Sequence, residues 1–183
     1  MSELNILGIC GSLRAKSHNR TLLTYASSKL PTGVTLDIAD LAEVPFFNAD
    51  LTTKPAAVEQ LLAAFAKADA IWFACPEYNY SIAPALKNAL DWASREPNNA
   101  LLSGKAAAVM GAGGGMGTSR AQYHLRQVGV YLDLHFVNKP EVFVNAFAPT
   151  SFDAEGQLID PRIQQSIDAQ CQALIQLAIQ LKK

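Results

Sequence analysis

The chain has 183 residues with 15 Lys+Arg against 16 Asp+Glu, a formal net charge of -1, and only 17% charged residues, where soluble proteins average roughly 25%. Residues of the AVILMFWYC set make up 50% of the sequence, so disordered, collagen-like and low-complexity chains are excluded. No basic tail or long run of one sign is present, which argues against a nucleic-acid partner.

The length suits one core, and a single domain over residues 1–183 is expected. Alanine supplies 29 residues, small side chains that suit close packing of helices on a sheet. No stretch approaches the roughly 18 apolar residues of a membrane span, and the N-terminus does not read as a secretion signal. The three cysteines, Cys10, Cys75 and Cys171, stand far apart in apolar runs. Neither a disulfide framework nor a zinc cluster is indicated, and a cytoplasmic location is expected.

Short apolar runs alternate with segments of helical spacing, the signature of a parallel sheet covered by helices. Residues 4–10 read as a first strand running into Gly11, and residues 19–30 as a helix with Leu22, Leu23, Ala26 and Leu30 on one side. Residues 34–38 form a second strand. A helix opened by Pro55 follows, with Val58, Leu61, Leu62 and Phe65 at i, i+3, i+4, i+7. Residues 70–75 are apolar throughout, as a strand buried on both faces requires, and stop at Pro76. Pro84 opens a third helix. Residues 106–110 make a fourth strand that empties into a glycine-rich run over 111–117, and a helix over 119–131 comes next. A fifth strand lies within 134–144, interrupted by Pro140. Ile163, Ile167, Cys171, Leu174, Ala178 and Leu181 define the last helix. Five such β-α units predict an α/β fold of the flavodoxin-like, doubly wound kind: five parallel strands in the order 2-1-3-4-5 with helices on both faces.

Ligands on such sheets bind beyond the carboxyl ends of the strands, which directs attention to three loops. The first, residues 11–20, offers backbone amides at a helix start, the Ser12 and Ser17 hydroxyls, and the Arg14 guanidinium, a set suited to a phosphate. It reads equally as an ordinary capped helix start. Lys16-Ser17 matches a Walker A loop only in part, and G-x-G-x-x-G is absent here. The second loop, Pro76, Glu77, Tyr78, Asn79, Tyr80 and Ser81, supplies aromatic rings and stiff backbone for a flat heterocycle, or else a plain proline turn. The third, residues 111–117, permits close approach of backbone to a ligand, or serves as a mobile connector. Their coincidence at one end of the sheet favours a ligand site.

Gly11-Ser12-Leu13-Arg14 followed by Ser17-His18-Asn19, then Pro76-Glu77-Tyr78-Asn79-Tyr80-Ser81 with Leu86-Lys87-Asn88-Ala89-Leu90-Asp91-Trp92 behind it, and Gln122-Tyr123-His124-Leu125-Arg126-Gln127, carry a resemblance. Together they resemble the NADPH-dependent FMN reductases, most of all the bacterial quinone and chromate reductase branch. The resemblance implies noncovalent FMN, with NADPH or NADH as co-substrate. It places Ser12, Arg14, Ser17 and Asn19 on the FMN phosphate and ribityl oxygens, with Leu13, Lys16 and His18 in the same loop. Pro76, Glu77, Tyr78 and Asn79 would line the isoalloxazine, and Ala112 and Gly113 would close the far side. Lys16 and His18 depart from the family's usual glycine and aromatic.

The activity implied is hydride transfer from NAD(P)H to flavin N5, then two-electron reduction of quinones or other small oxidants such as azo compounds and chromate, in ping-pong order. No side chain is then an obligatory acid or base, and no metal is expected. The rival is a flavodoxin-type one-electron carrier, a class usually strongly acidic, which the charge of -1 disfavours. Weakly charged helices around residues 86–92 and 119–131 suggest covered outer surface, so homodimers or homotetramers are expected, with Tyr80, Arg120, Tyr123 and Glu141 at the interface.

Overall fold

The computed structural model describes residues 3–182, and the architecture follows from which segments are apolar on two faces and which on one. Strand β1 (Leu4–Cys10) pairs in parallel with β2 (Val34–Ile38) on one side and β3 (Ala70–Ala74) on the other. Strand β3 pairs with β6 (Ala106–Gly113), giving the order β2-β1-β3-β6. The chain between β3 and β6 carries a small antiparallel hairpin of β4 (Glu77–Tyr78) and β5 (Ser81–Ile82), where the sequence alone predicts a loop.

Two expectations need correction. The fifth strand is two short strands, β7 (His135–Phe136) and β8 (Val142–Asn145), so the sheet has six strands in five positions. Pro140, which cannot donate to a ladder, lies between them. Strand β7 pairs with the start of β6 and β8 with its end. The second correction concerns the glycine-rich run: Gly111, Ala112 and Gly113 are strand, paired with Phe143, Val144 and Asn145. Glycine stands at 111 for space. A Cβ there would lie 2.1 Å from Thr118 Oγ1 and 2.4 Å from the Cys75 carbonyl oxygen.

Helices α1 (His18–Ser28) and α5 (Pro161–Leu181) cover one face through Leu22, Leu23, Ala26, Ile167, Cys171, Leu174 and Ala178. Helices α2 (Ala56–Lys67), α3 (Pro84–Ala93) and α4 (Ser119–Tyr131) cover the other through Val58, Leu61, Phe65, Leu86, Leu90, Ala121 and Leu125. The alternation along β3 serves both layers, with Trp72 toward α1 and α5 and with Ile71 and Phe73 toward α2 and α3. Gln170, fully buried on α5, fastens the first layer. Its Oε1 accepts from Trp72 Nε1 at 2.8 Å, and its Nε2 donates to the carbonyls of Val109 and Pro140 at 3.1 and 2.8 Å.

Candidate functional site

The three loops meet at the carboxyl ends of β1, β3 and β6. Gly11 admits the contact between the first two: a Cβ there would lie 2.8 Å from Pro76 Cδ. Ser12, Ser17 and Asn19 are buried, whereas Leu13, Arg14, Ala15 and Lys16 are exposed, so the first loop has a hydroxyl floor and a basic rim. Ser17 is the N-cap of α1, its Oγ accepting from the Arg20 amide at 3.3 Å. The cap uses one first-turn amide, and the remaining amides and the helix dipole are of the kind that favours an anion.

Asn19 is committed elsewhere. Its Nδ2 donates to the Ala112 carbonyl and its Oδ1 accepts from the Ala112 amide, each at 2.9 Å, so its side chain ties the first loop to the end of β6. The His18 ring stacks on Phe152, with centroids 4.1 Å apart and planes 13° apart. Burial, then the Arg14 charge, holds the His18 imidazole below its ordinary value. Thr21 Oγ1, one turn on, donates to the Gly156 carbonyl at 3.1 Å. A cavity of about 600 Å³ runs from Arg14, Lys16 and His18 along α1 to Gly156.

In the second loop, Glu77 turns its carboxylate away toward α4. Arg120 Nε donates to Glu77 Oε1 at 2.7 Å and the Ala121 amide to Oε2 at 3.3 Å. Burial pushes that carboxyl up, but the hydrogen bonds from Arg120 and Ala121 outweigh it and leave it below the usual glutamate value. The Glu77 charge is therefore paired with α4 and only its backbone is left toward the loop. Tyr78 is exposed, and Asn79 and Tyr80 form the hairpin turn. Cys75 lies just behind, fully buried, and burial pushes its thiol up to about 12, which disfavours the reactive thiolate.

The third loop is Gly114 to Gly117, closed by Thr118, the left-handed N-cap of α4. Open space lies over Gly114 and Gly115. Thr118, Arg120 and Phe152 brace the three loops through contacts that residue type and spacing do not reveal. Arg120 carried a signal but was assigned to a subunit interface. Within the chain, Tyr123 OH donates to Glu141 at 2.8 Å, and Arg120 lies 3.7 Å over the Tyr80 ring.

The donor set suits a phosphomonoester at the first loop, where hydroxyls, helix amides and a guanidinium converge. The second and third loops offer backbone and open space, as a flat ring requires. Among the described residues no group of His, Cys, Asp and Glu is placed to hold a metal ion. Fold and topology define a flavodoxin-like protein whose three loops gather at the carboxyl ends of its central strands.

Comparison with known proteins narrows the class. The sequence pattern of the NADPH-dependent FMN reductases matches residues 4–149. The chain is 49% identical to a potato (Solanum tuberosum) NAD(P)H:quinone oxidoreductase over 98% of its length and 95% of that protein. It is 47% identical to an NAD(P)H-dependent FMN reductase of Pseudomonas aeruginosa over 94% of each chain. Its fold is similar to that of FerB, a flavoenzyme NAD(P)H:(acceptor) oxidoreductase of Paracoccus denitrificans, with a TM-score of 0.87 and 25% identity over 97% of this chain and 98% of that one. The chain belongs to the NADPH-dependent FMN reductase family. It is an oxidoreductase that works with FMN and a reduced nicotinamide.

Proposed function

We propose that the protein carries two electrons from NAD(P)H to quinones in ping-pong order, with azo compounds, chromate and other small oxidants as incidental acceptors. NAD(P)H, a proton and the quinone give NAD(P)+ and the hydroquinone. FMN, when bound, supplies the hydride acceptor at N5 and the electron donor to the quinone. The observation that carries the reading is the first loop, with Ser12 and Ser17 buried beneath the basic rim of Arg14 and Lys16, beside the open backbone of Gly114 and Gly115.

In this reading the amides and hydroxyls from Ser12 to Asn19 hold the phosphate, with Leu13 and His18 shaping the loop. The backbone of Pro76, Glu77, Tyr78 and Asn79 lines one edge of the ring, and Ala112 and Gly113 close the other. No side chain moves a proton at an obligatory step. The decisive experiment is a visible spectrum of the purified protein followed by NADPH in the absence of air. Prompt bleaching that a quinone reverses is the expected result. A yellow protein that stays oxidised indicates a one-electron carrier, and a colourless protein that FMN cannot reconstitute removes the flavin reading. Initial-rate lines for NADPH and quinone should run parallel; intersecting lines exclude ping-pong order.

The subunit reading belongs here too. Tyr80, Tyr123, Val130, Tyr131 and Phe147 are each more than half exposed, an apolar set that supports homodimers or homotetramers. A monomeric mass by light scattering at micromolar concentration contradicts it. Three buried free cysteines support a reducing, cytoplasmic setting. Among the described residues no helix is long and apolar enough to cross a membrane.

A further inference from the structure

The β4–β5 hairpin carries the second loop, and its turn takes a conformation its sequence does not favour. Asn79 and Tyr80 have φ of 51° and 66°. Two-residue hairpin turns of this hand ordinarily use Asn-Gly, and a tyrosine with positive φ is rare. Contacts from outside the hairpin hold it there.

They come from the first turns of α4. Arg120 pairs with Glu77 on the first strand, Nε to Oε1 at 2.7 Å, and lays its guanidinium 3.7 Å over the ring of Tyr80 in the turn. The Ala121 amide adds a bond to Glu77 at 3.3 Å, and His124 Nδ1 lies 3.1 Å from Ser81 Oγ on the second strand. The residue that opens this helix, Thr118, packs against Gly111 and Gly113 of the opposite wall. One helical turn therefore touches both sides of the flavin slot, through Thr118 on the third loop and through Arg120 on the second.

We propose that Arg120 is a positioning residue of the flavin site: bridging Glu77 and Tyr80, it sets the second loop at a fixed distance from the third and cancels the Glu77 charge beside the ring. This rests on the FMN reading above. Two consequences follow. Without Arg120 the left-handed turn loses its clamp, and flavin binds less tightly. The Glu77 carboxylate, whose side chain is 9% exposed, then stands unpaired near an electron acceptor, where negative charge makes reduction harder.

The test compares Arg120→Ala, Arg120→Lys and Glu77→Gln by FMN titration, by flavin midpoint potential and by light scattering. R120A should weaken FMN binding about tenfold, the scale of one charge-assisted hydrogen bond. Its midpoint potential should move negative, whereas that of E77Q, which leaves Arg120 unneutralised, should move positive. R120K keeps the charge but loses the fork and the stack, so its potential should stay near that of the parent while its affinity is intermediate. Opposite signs for R120A and E77Q are a signature that general loosening does not produce. If R120A does not fold by circular dichroism, E77Q and R120K carry the comparison. Potentials that shift the same way or not at all overturn the proposal. So does FMN affinity within twofold of the parent in R120A, or a loss of affinity that appears only with a fall in mass, which assigns Arg120 to subunit assembly. Failure of the FMN reading itself shows in the unmutated protein, which then binds no flavin.

Discussion

Asn19 and Ala112, 93 residues apart, are joined by a reciprocal pair of hydrogen bonds, Nδ2 to the Ala112 carbonyl and the Ala112 amide to Oδ1, both 2.9 Å. The pair closes the first loop onto the last turn-ward residues of β6. Because Asn19 and Ala112 are each 5% exposed, water does not replace these bonds freely. Asn19→Ala leaves a buried N–H and a buried C=O without partners, and should cost about 2–4 kcal/mol of stability in urea unfolding with the m-value unchanged. Asn19→Asp should not rescue it, because a carboxylate has no donor for the Ala112 carbonyl. A loss below about 0.5 kcal/mol in the alanine variant contradicts this account.

Glycines 111 and 115 stand four residues apart and should answer oppositely to the same substitution. At Gly111 a methyl group meets the Cys75 backbone oxygen as well as Thr118, and backbone does not yield as a side chain does. Gly111→Ala should destabilise by about 3 kcal/mol. Gly115 faces open space, so Gly115→Ala should change stability by less than about 1 kcal/mol. Equal unfolding midpoints for the two variants would refute the packing argument.

His18 gives the stability a pH signature. Its native value lies below the ordinary 6.5, chiefly through burial and then through Arg14. As the pH falls through 6.5 the unfolded chain therefore takes up this proton before the native chain does, and native stability declines until the native value is passed. Above 6.5 both states are neutral at this residue and the contribution is flat. His18→Phe keeps a ring for Phe152 to stack on but does not titrate. Denaturant midpoints of the two proteins should run parallel above neutrality and diverge in favour of the variant toward about pH 5. Parallel behaviour over the whole range excludes His18 as the source.

The three thiols should be silent in the folded protein. Cys10, Cys75 and Cys171 are buried, and burial pushes the thiols of Cys75 and Cys171 up to about 12 and about 11. A chromogenic disulfide reagent at mildly alkaline pH should register no rapid reaction with native protein and three equivalents after unfolding. Rapid loss of one thiol in the native state points instead to a reactive Cys75 beside the flavin.

The sheet order and most of the helices were legible because burial leaves a plain mark on composition. Residues 70–74 are apolar on two faces, and Val58, Leu61, Leu62 and Phe65 recur at helical spacing because only one side of α2 is covered. What misled was chemistry with two meanings. Glycine at 111 and 113 signals loop in isolation, yet here it thins a strand so that Thr118 fits against it. Asn79-Tyr80 lacks the Asn-Gly signature of a two-residue hairpin, so β4 and β5 were invisible. The candidate loops were found by their place after buried strands, but side-chain duty within them was not. Asn19 and Glu77 read as ligand groups, and only the three-dimensional partners, Ala112 and Arg120, show where those side chains point. Nothing in the position of Gln170 along its helix foretells Trp72 as its partner.

The stack of His18 on Phe152 joins two unlike parts of the chain. His18 stands at the start of α1, within the residues that the family pattern matches, while Phe152 and Gly156 lie beyond residue 149, where that pattern ends. The bridge between Phe152 and Leu158 closes that segment into a short loop of its own. The first loop is thus braced from a segment far along the chain, through the His18 ring and the Thr21 hydroxyl.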